Sequence, residues 1–164
     1  MTRDKIMSSP QIAGRVRRWH TWPMIREQTV AAHSARVATL YCELWGLPRA
    51  EVLYYCLHHD SGELSSGDVP FSAKDLAPQL REAVNHAEAI GRTRIGVTLP
   101  ELRDKEFKKF KICDLLEMWE TGLVEHCMGN TYAIPVIEDT MAAAESIARD
   151  LGEWDTLNRW RAKQ

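Results

Sequence analysis

The chain has 164 residues, of which 45% are hydrophobic and 27% charged, and its formal net charge is −2. That is enough chain for one domain with a substantial core, and the composition is ordinary for a globular protein. The slight negative charge argues against a surface for long nucleic acid, while a small phosphate ligand would need only a few local cations.

Residues Met1 to Pro10 are polar and lack the apolar centre of an export signal, and no apolar stretch is long enough to span a bilayer. Cys42, Cys56, Cys113 and Cys127 show no C-x-x-C spacing, which reads as reduced core thiols. The expectation is a cytoplasmic protein with no membrane partner.

The apolar period is helical nearly everywhere. A short first helix is expected from about Pro10 to Arg18. A second, from Thr29 to Trp45, puts Val30, Val37, Leu40 or Tyr41, and Leu44 on one face, and Gly46-Leu47-Pro48 closes it. A third runs from near Arg49 through Val52, Leu53, Cys56 and Leu57 to His59-Asp60. It breaks down in Ser61-Gly62 and Ser65-Ser66-Gly67. A fourth, from about Ala73 to Ile90, carries Leu76, Leu80 and Val84. The fifth and longest follows Pro100 and reaches about Met128, the sixth runs from near Pro135 to Leu151, and a short last helix covers about Trp154 to Arg161. No segment alternates with period two. The expected fold is all-α, a single domain over residues 1–164 with six or seven helices and its core over about 10–151.

Four polar residues interrupt the apolar faces. His33 shares the buried face of Val30 and Val37, and taken alone such a residue is more often a hydrogen-bonded core histidine than a ligand. The doublet His59-Asp60 alone is common. Asp114 says more: it lies four residues after Phe110 in an apolar run, and a carboxylate there needs a cation or strong donors, since burying it unpaired costs several kcal/mol. Two imidazoles and two carboxylates together would form a nitrogen/oxygen site for a divalent metal, the kind that activates water for hydrolysis.

The order His33, His59-Asp60, Asp114, on helices of this spacing, resembles the HD-domain metal-dependent phosphohydrolases. Arg18-Trp19, Ala32-His33-Ser34, His59-Asp60-Ser61-Gly62-Glu63, Gly67-Asp68-Val69-Pro70 and Lys74 are similar to the bacterial 5′-deoxynucleotidase branch, and equally to compact phage enzymes that strip triphosphate from dATP. The resemblance runs from about Arg18 to the end of the sixth helix. It implies a helical HD-domain bundle with one divalent metal per subunit (Co²⁺, Mn²⁺ or Zn²⁺, with Mg²⁺ possible for a triphosphate substrate) on His33, His59, Asp60 and Asp114. Glu63 would hold or deprotonate the attacking water, and a carboxylate one helical turn from the ligand pair can reach such a water. Arg18 and Lys74 would bind phosphate oxygens, Asp68 the sugar 3′-hydroxyl, and Trp19 would crowd the 2′ position so that ribose is excluded. His20, Thr21, Trp22 and Pro23 could line the base pocket, although the bacterial enzymes carry proline where this chain has His20.

The expected function is therefore hydrolysis of the 5′-phosphoester of a 2′-deoxynucleotide. A triphosphate substrate is narrowly favoured because the chain is short and because Arg15, Arg17, Arg26 and Lys111 offer further cations; the alternative is a monophosphatase releasing phosphate. A nucleotide-binding module with a spent metal site stays open, although it would have no need of Glu63, and a cyclic-dinucleotide or alarmone hydrolase would leave Trp19 and Asp68 without their roles. His58 reads as support for the doublet or as a solvent-facing residue, and His86 and His126 as structural or surface residues. The basic run Lys105 to Lys111 reads as a solvated face over buried Phe107 and Phe110. Tryptophans at 22, 45, 119, 154 and 160 exceed what one small core readily hides, which, with the dimers and rings of the related enzymes, suggests a homo-oligomer, dimer or hexamer.

Overall fold

A computed structural model describes residues 9–164; the rest of the polar N-terminal segment lies outside them. Helix dominates. In chain order the elements are α1 (Pro10–Ala13), β1 (Arg17–Arg18), β2 (Gln28–Thr29), α2 (Val30–Trp45), α3 (Ala50–His58), a 3-10 turn (Ser61–Leu64), α4 (Phe71–Leu76), α5 (Pro78–Arg94), α6 (Asp104–Cys127), a second 3-10 turn (Thr131–Ala133), α7 (Ile134–Leu151) and α8 (Trp154–Arg161). The all-α expectation holds, with eight α-helices among the described residues. None is long and apolar enough to cross a membrane.

Three local expectations are corrected. The first helix stops at Ala13 instead of reaching Arg18. Ser9 Oγ caps it by accepting the Gln11 N–H at 3.2 Å, and Gly14 follows its end. Arg17 and Arg18 instead pair antiparallel with Thr29 and Gln28, so this stretch draws backbone partners from a segment ten residues on. The fourth helix is two: Ala77 is extended (φ −137°, ψ 91°) between α4 and Pro78, as a residue preceding proline prefers. Leu76 and Leu80 are exposed as a result and only Val84 is buried. Phe107 is 42% exposed, whereas Phe110 is buried.

The chain divides into two compact units, one drawn from the chain up to Ser34 together with His58–Leu99, the other from Ala35–Leu57 with Pro100–Gln164. The second holds the large apolar core. Val37, Leu40 and Tyr41 of α2 pack with Val52 and Cys56 of α3, with Phe110, Ile112, Cys113, Leu116 and Trp119 of α6, and with Met141, Ala144 and Ala148 of α7. The spacing of three and four along each helix is what gathers them on one side. Leu157 and Trp160 of α8 join this core, with the Trp119 and Trp160 rings edge to face at 5.9 Å. Arg49 grips the Glu106 carboxylate through Nε and a terminal nitrogen, both at 2.8 Å, and Glu106 also accepts the Arg103 N–H at the start of α6, as a capping glutamate does.

The first unit has a smaller apolar cluster, Ala13, Ile95 and Val97, against which Leu64 and Leu99 pack. A close approach joins the Ser61–Leu64 turn to α5. A methyl at Gly62 would overlap the Glu88 backbone carbonyl and come within 2.7 Å of the Glu88 Cβ; one at Gly91 would overlap Ser65 Oγ and come within 2.9 Å of the Gly62 carbonyl. Only glycines admit this contact.

Candidate metal centre

The first unit carries three of the candidate metal ligands. His33 follows Val30 by one turn near the start of α2 and is fully buried. His59 and Asp60 come directly after α3, where Ser61 Oγ donates to the His58 carbonyl at 2.7 Å and turns the chain into the 3-10 segment. From α5, Arg92 donates to the His59 carbonyl at 3.3 Å. The Gly62–Gly91 contact and this bond fix the doublet against α5.

The three donors meet. His33 Nε2 and His59 Nε2 lie 3.2 Å apart, and Asp60 Oδ2 is 3.5 Å from the first and 3.4 Å from the second. These are the edges of one triangular face of donors. A tetrahedral ion with bonds of about 2.0–2.1 Å has donor–donor edges of roughly 3.3–3.4 Å. The group fits a divalent metal. Among the described residues it comprises His33, His59 and Asp60. Asp114 belongs to the other unit, where Lys111, three residues earlier on α6, pairs with it at 2.6 Å. Lys111 thus supplies at least part of the compensation that this shielded carboxylate needs.

Arg18, on β1, donates to the same Asp60 Oδ2 at 2.5 Å, with its side chain 9% exposed. Burial alone would raise the Asp60 carboxyl, but the His59 and His33 imidazoles and the Arg18 guanidinium hold it well below the usual carboxylate range. Glu63, on the 3-10 turn three residues after Asp60, is 4% exposed. Burial first, and then the Asp60 charge, push its carboxyl up to about 9 against the pull of Arg18. Its Oε2 is buried with no hydrogen-bond partner among the described residues. A buried orphan oxygen beside a ligand carboxylate is where a water or a substrate atom would be received.

Asp68 accepts the Trp19 backbone N–H at 2.8 Å. Thr21 is exposed, as are His20, Trp22 and Pro23. Lys74 lies 3.7 Å from Glu88, and Arg92 is 3.7 Å from the same carboxylate. Burial raises the Glu88 carboxyl, with Lys74 opposing. Glu88 and Arg92 escape the sequence reading, although their spacing of four on a helix marks a pair. Gln28, which accepts the Trp19 indole N–H at 2.7 Å, carries no such signal, because the contact depends on β1 meeting β2. His86 and His126 are exposed, and burial lowers the half-buried His58 imidazole.

A helical protein with a histidine–aspartate doublet facing a second buried histidine falls in the class of HD-domain hydrolases. Comparison narrows the class: residues 13–127 match the YfbR-like 5′-deoxynucleotidases, and the chain belongs to that family. It is a phosphoester hydrolase. It is 21% identical over 155 residues to a 5′-deoxynucleotidase of Vibrio cholerae, covering 89% of this chain and 80% of that protein. It is 24% identical over 142 residues to a 5′-deoxynucleotidase of Vibrio vulnificus, covering 81% and 73%. The preference for a triphosphate substrate finds no support here. A chain that covers this much of such relatives is not set apart from them by its length, and the alternative is the better backed.

Proposed function

We propose that the protein hydrolyses 2′-deoxynucleoside 5′-monophosphates to the deoxynucleoside and inorganic phosphate. The observation that carries this reading is the convergence of His33, His59, Asp60, Arg18 and the buried Glu63 in one unit of a chain belonging to the 5′-deoxynucleotidase family.

His33, His59 and Asp60 would hold the ion, with Asp114 added as a fourth ligand on the strength of the family resemblance. Such an ion, Co²⁺ or Mn²⁺ in the first instance, would supply Lewis-acid polarisation of a phosphoryl oxygen, acidification of water and positive charge that lowers the Glu63 carboxyl. Glu63 takes a proton from the attacking water as its oxygen bonds to phosphorus, and the bond from phosphorus to the sugar O5′ breaks, O5′ taking a proton from solvent water while Glu63 returns its own to solvent. Arg18 and Lys74 neutralise the charge that develops on the phosphoryl oxygens. Asp68 accepts the sugar 3′-hydroxyl, Trp19 bars a 2′-hydroxyl, and Thr21 borders the base.

The test is a panel of deoxy- and ribonucleoside mono-, di- and triphosphates, incubated with metal-stripped protein to which Co²⁺, Mn²⁺, Zn²⁺ or Mg²⁺ is returned. Inorganic phosphate from deoxynucleoside monophosphates is the expected product; intact triphosphate from dATP with no monophosphatase activity would overturn the reading. Loss of bound metal in a folded Asp114→Ala protein is expected, and unchanged metal content would remove Asp114 from the ligand set.

The resemblance extends to a homo-oligomer, dimer or hexamer. The tryptophan argument for it weakens, since Trp119 and Trp160 are buried in the core, and of the five only Trp22 is classed as exposed. Sedimentation at micromolar concentration decides, and a fully active monomer would exclude the assembly.

A further inference from the structure

Trp19 stands at φ 61°. A bulky side chain adopts this left-handed backbone conformation only where its surroundings impose it. Two backbone bonds do so: its N–H donates to Asp68 Oδ2 at 2.8 Å, and its carbonyl accepts the Trp22 N–H at 2.8 Å. These fix where the residue sits but neither of the two side-chain torsions that orient the indole. A third bond does that. The indole N–H donates to Gln28 Oε1 at 2.7 Å, and Gln28 is itself held by the strand pairing, in register opposite Arg18.

We propose that Gln28 is the positioning residue for sugar selectivity: it holds the Trp19 indole in the orientation that bars a 2′-hydroxyl, without touching the substrate. The inference rests on the reading of Trp19 as the deoxyribose gate given above. The Trp19 backbone also holds Asp68, so the 3′-hydroxyl acceptor and the 2′ barrier form one linked piece whose free end is the indole. An indole released from Gln28 can rotate, leaving room at the 2′ position while Asp68 and the metal group stay in place.

The test compares Gln28→Met, which keeps the length but offers no strong acceptor, with Gln28→Glu, which keeps an acceptor oxygen. Trp19→Ala is run alongside. Each metal-loaded protein is assayed for kcat/KM on deoxy- and ribonucleoside 5′-monophosphates of the same base, with thermal melting as the check on folding. Gln28→Met is expected to lower the deoxy-to-ribo ratio about three- to tenfold, the effect of one hydrogen bond, mainly through gain of ribonucleotide turnover. Gln28→Glu is expected to keep the parent ratio. An unchanged ratio in folded Gln28→Met, with a lowered one in Trp19→Ala, overturns the inference and leaves the gate standing. Equal losses in Gln28→Met and Gln28→Glu overturn it as well. If Trp19→Ala leaves the ratio unchanged, the gate itself fails. Should Gln28→Met not fold, Gln28→Asn, whose amide is one methylene too short, is read in the same way.

Discussion

Arg18 and Asp60 share an oxygen with the metal group: the Asp60 Oδ2 that takes the 2.5 Å bond from Arg18 is the atom facing both imidazoles. One guanidinium therefore orients the carboxylate proposed as a ligand, quite apart from its proposed role on phosphate. Hydrogen-bond partners of ligands typically contribute about ten- to a hundredfold to metal affinity. Arg18→Ala is expected to weaken Mn²⁺ binding by about that factor in calorimetry without nucleotide. Parent affinity in a folded variant would confine Arg18 to the substrate.

Glu63 feels the Asp60 charge, and its proposed role is on water and not on the ion. Glu63→Gln is expected to keep metal content and lose turnover by about 100- to 10,000-fold, the usual span for a general base. Metal lost on that substitution would show that Glu63 coordinates the ion.

Gly62 has no room for a side chain against the Glu88 carbonyl. Gly62→Ala is expected to cost about 1–3 kcal/mol by overpacking, read as a lower midpoint in chemical denaturation. It should also weaken metal binding, since His59-Asp60 precede the displaced turn. An unchanged midpoint would mean that α5 shifts away freely.

Glu106 gives a sign to the pH dependence. The Arg49 hydrogen bonds, then the Arg103 N–H, hold its carboxyl down to about 2, below its value in the unfolded chain of about 4.3. A depressed carboxyl stabilises the fold fully above the unfolded value, and that contribution is lost as the pH falls towards the folded one. The stability difference between the parent and Glu106→Gln is expected to be full at pH 7 and to shrink progressively below about pH 4. A difference that stays constant down to pH 2.5 would assign it to packing.

Much of this was legible in residue spacing. Val37, Leu40 and Tyr41 mark α2 because three- and four-residue steps stay on one helix face, and the same rule places His33 among buried neighbours. The Ala77 break was hidden because Leu76, Leu80 and Val84 keep a helical period across it, and only Pro78 hinted at the interruption. The β1–β2 pairing was hidden for another reason: two-residue strands show no alternation, and register is a tertiary property. Gln28 was unreadable with it. Asp114 stands in an apolar run as a carboxylate needing a positive partner, and Lys111, three residues before it on the same helix, meets part of that need. Trp160 satisfies its indole N–H on Glu43 and packs against Trp119 inside the core, burial that a count of tryptophans does not reveal.

Apolar burial is shared out unequally between the two units. Among the described residues, the unit bearing Asp114 clusters sixteen buried apolar residues, while the one bearing the doublet clusters three. Packing alone therefore anchors the metal-site segments weakly, and bound ligands carry more of the load there through mass action. In hydrogen exchange without metal or nucleotide, the amides of α5 are expected to open well before those of α6 and α7. Saturating ion and nucleotide should slow the former selectively, so that in the cell the stability of this half of the protein would follow the supply of what it binds.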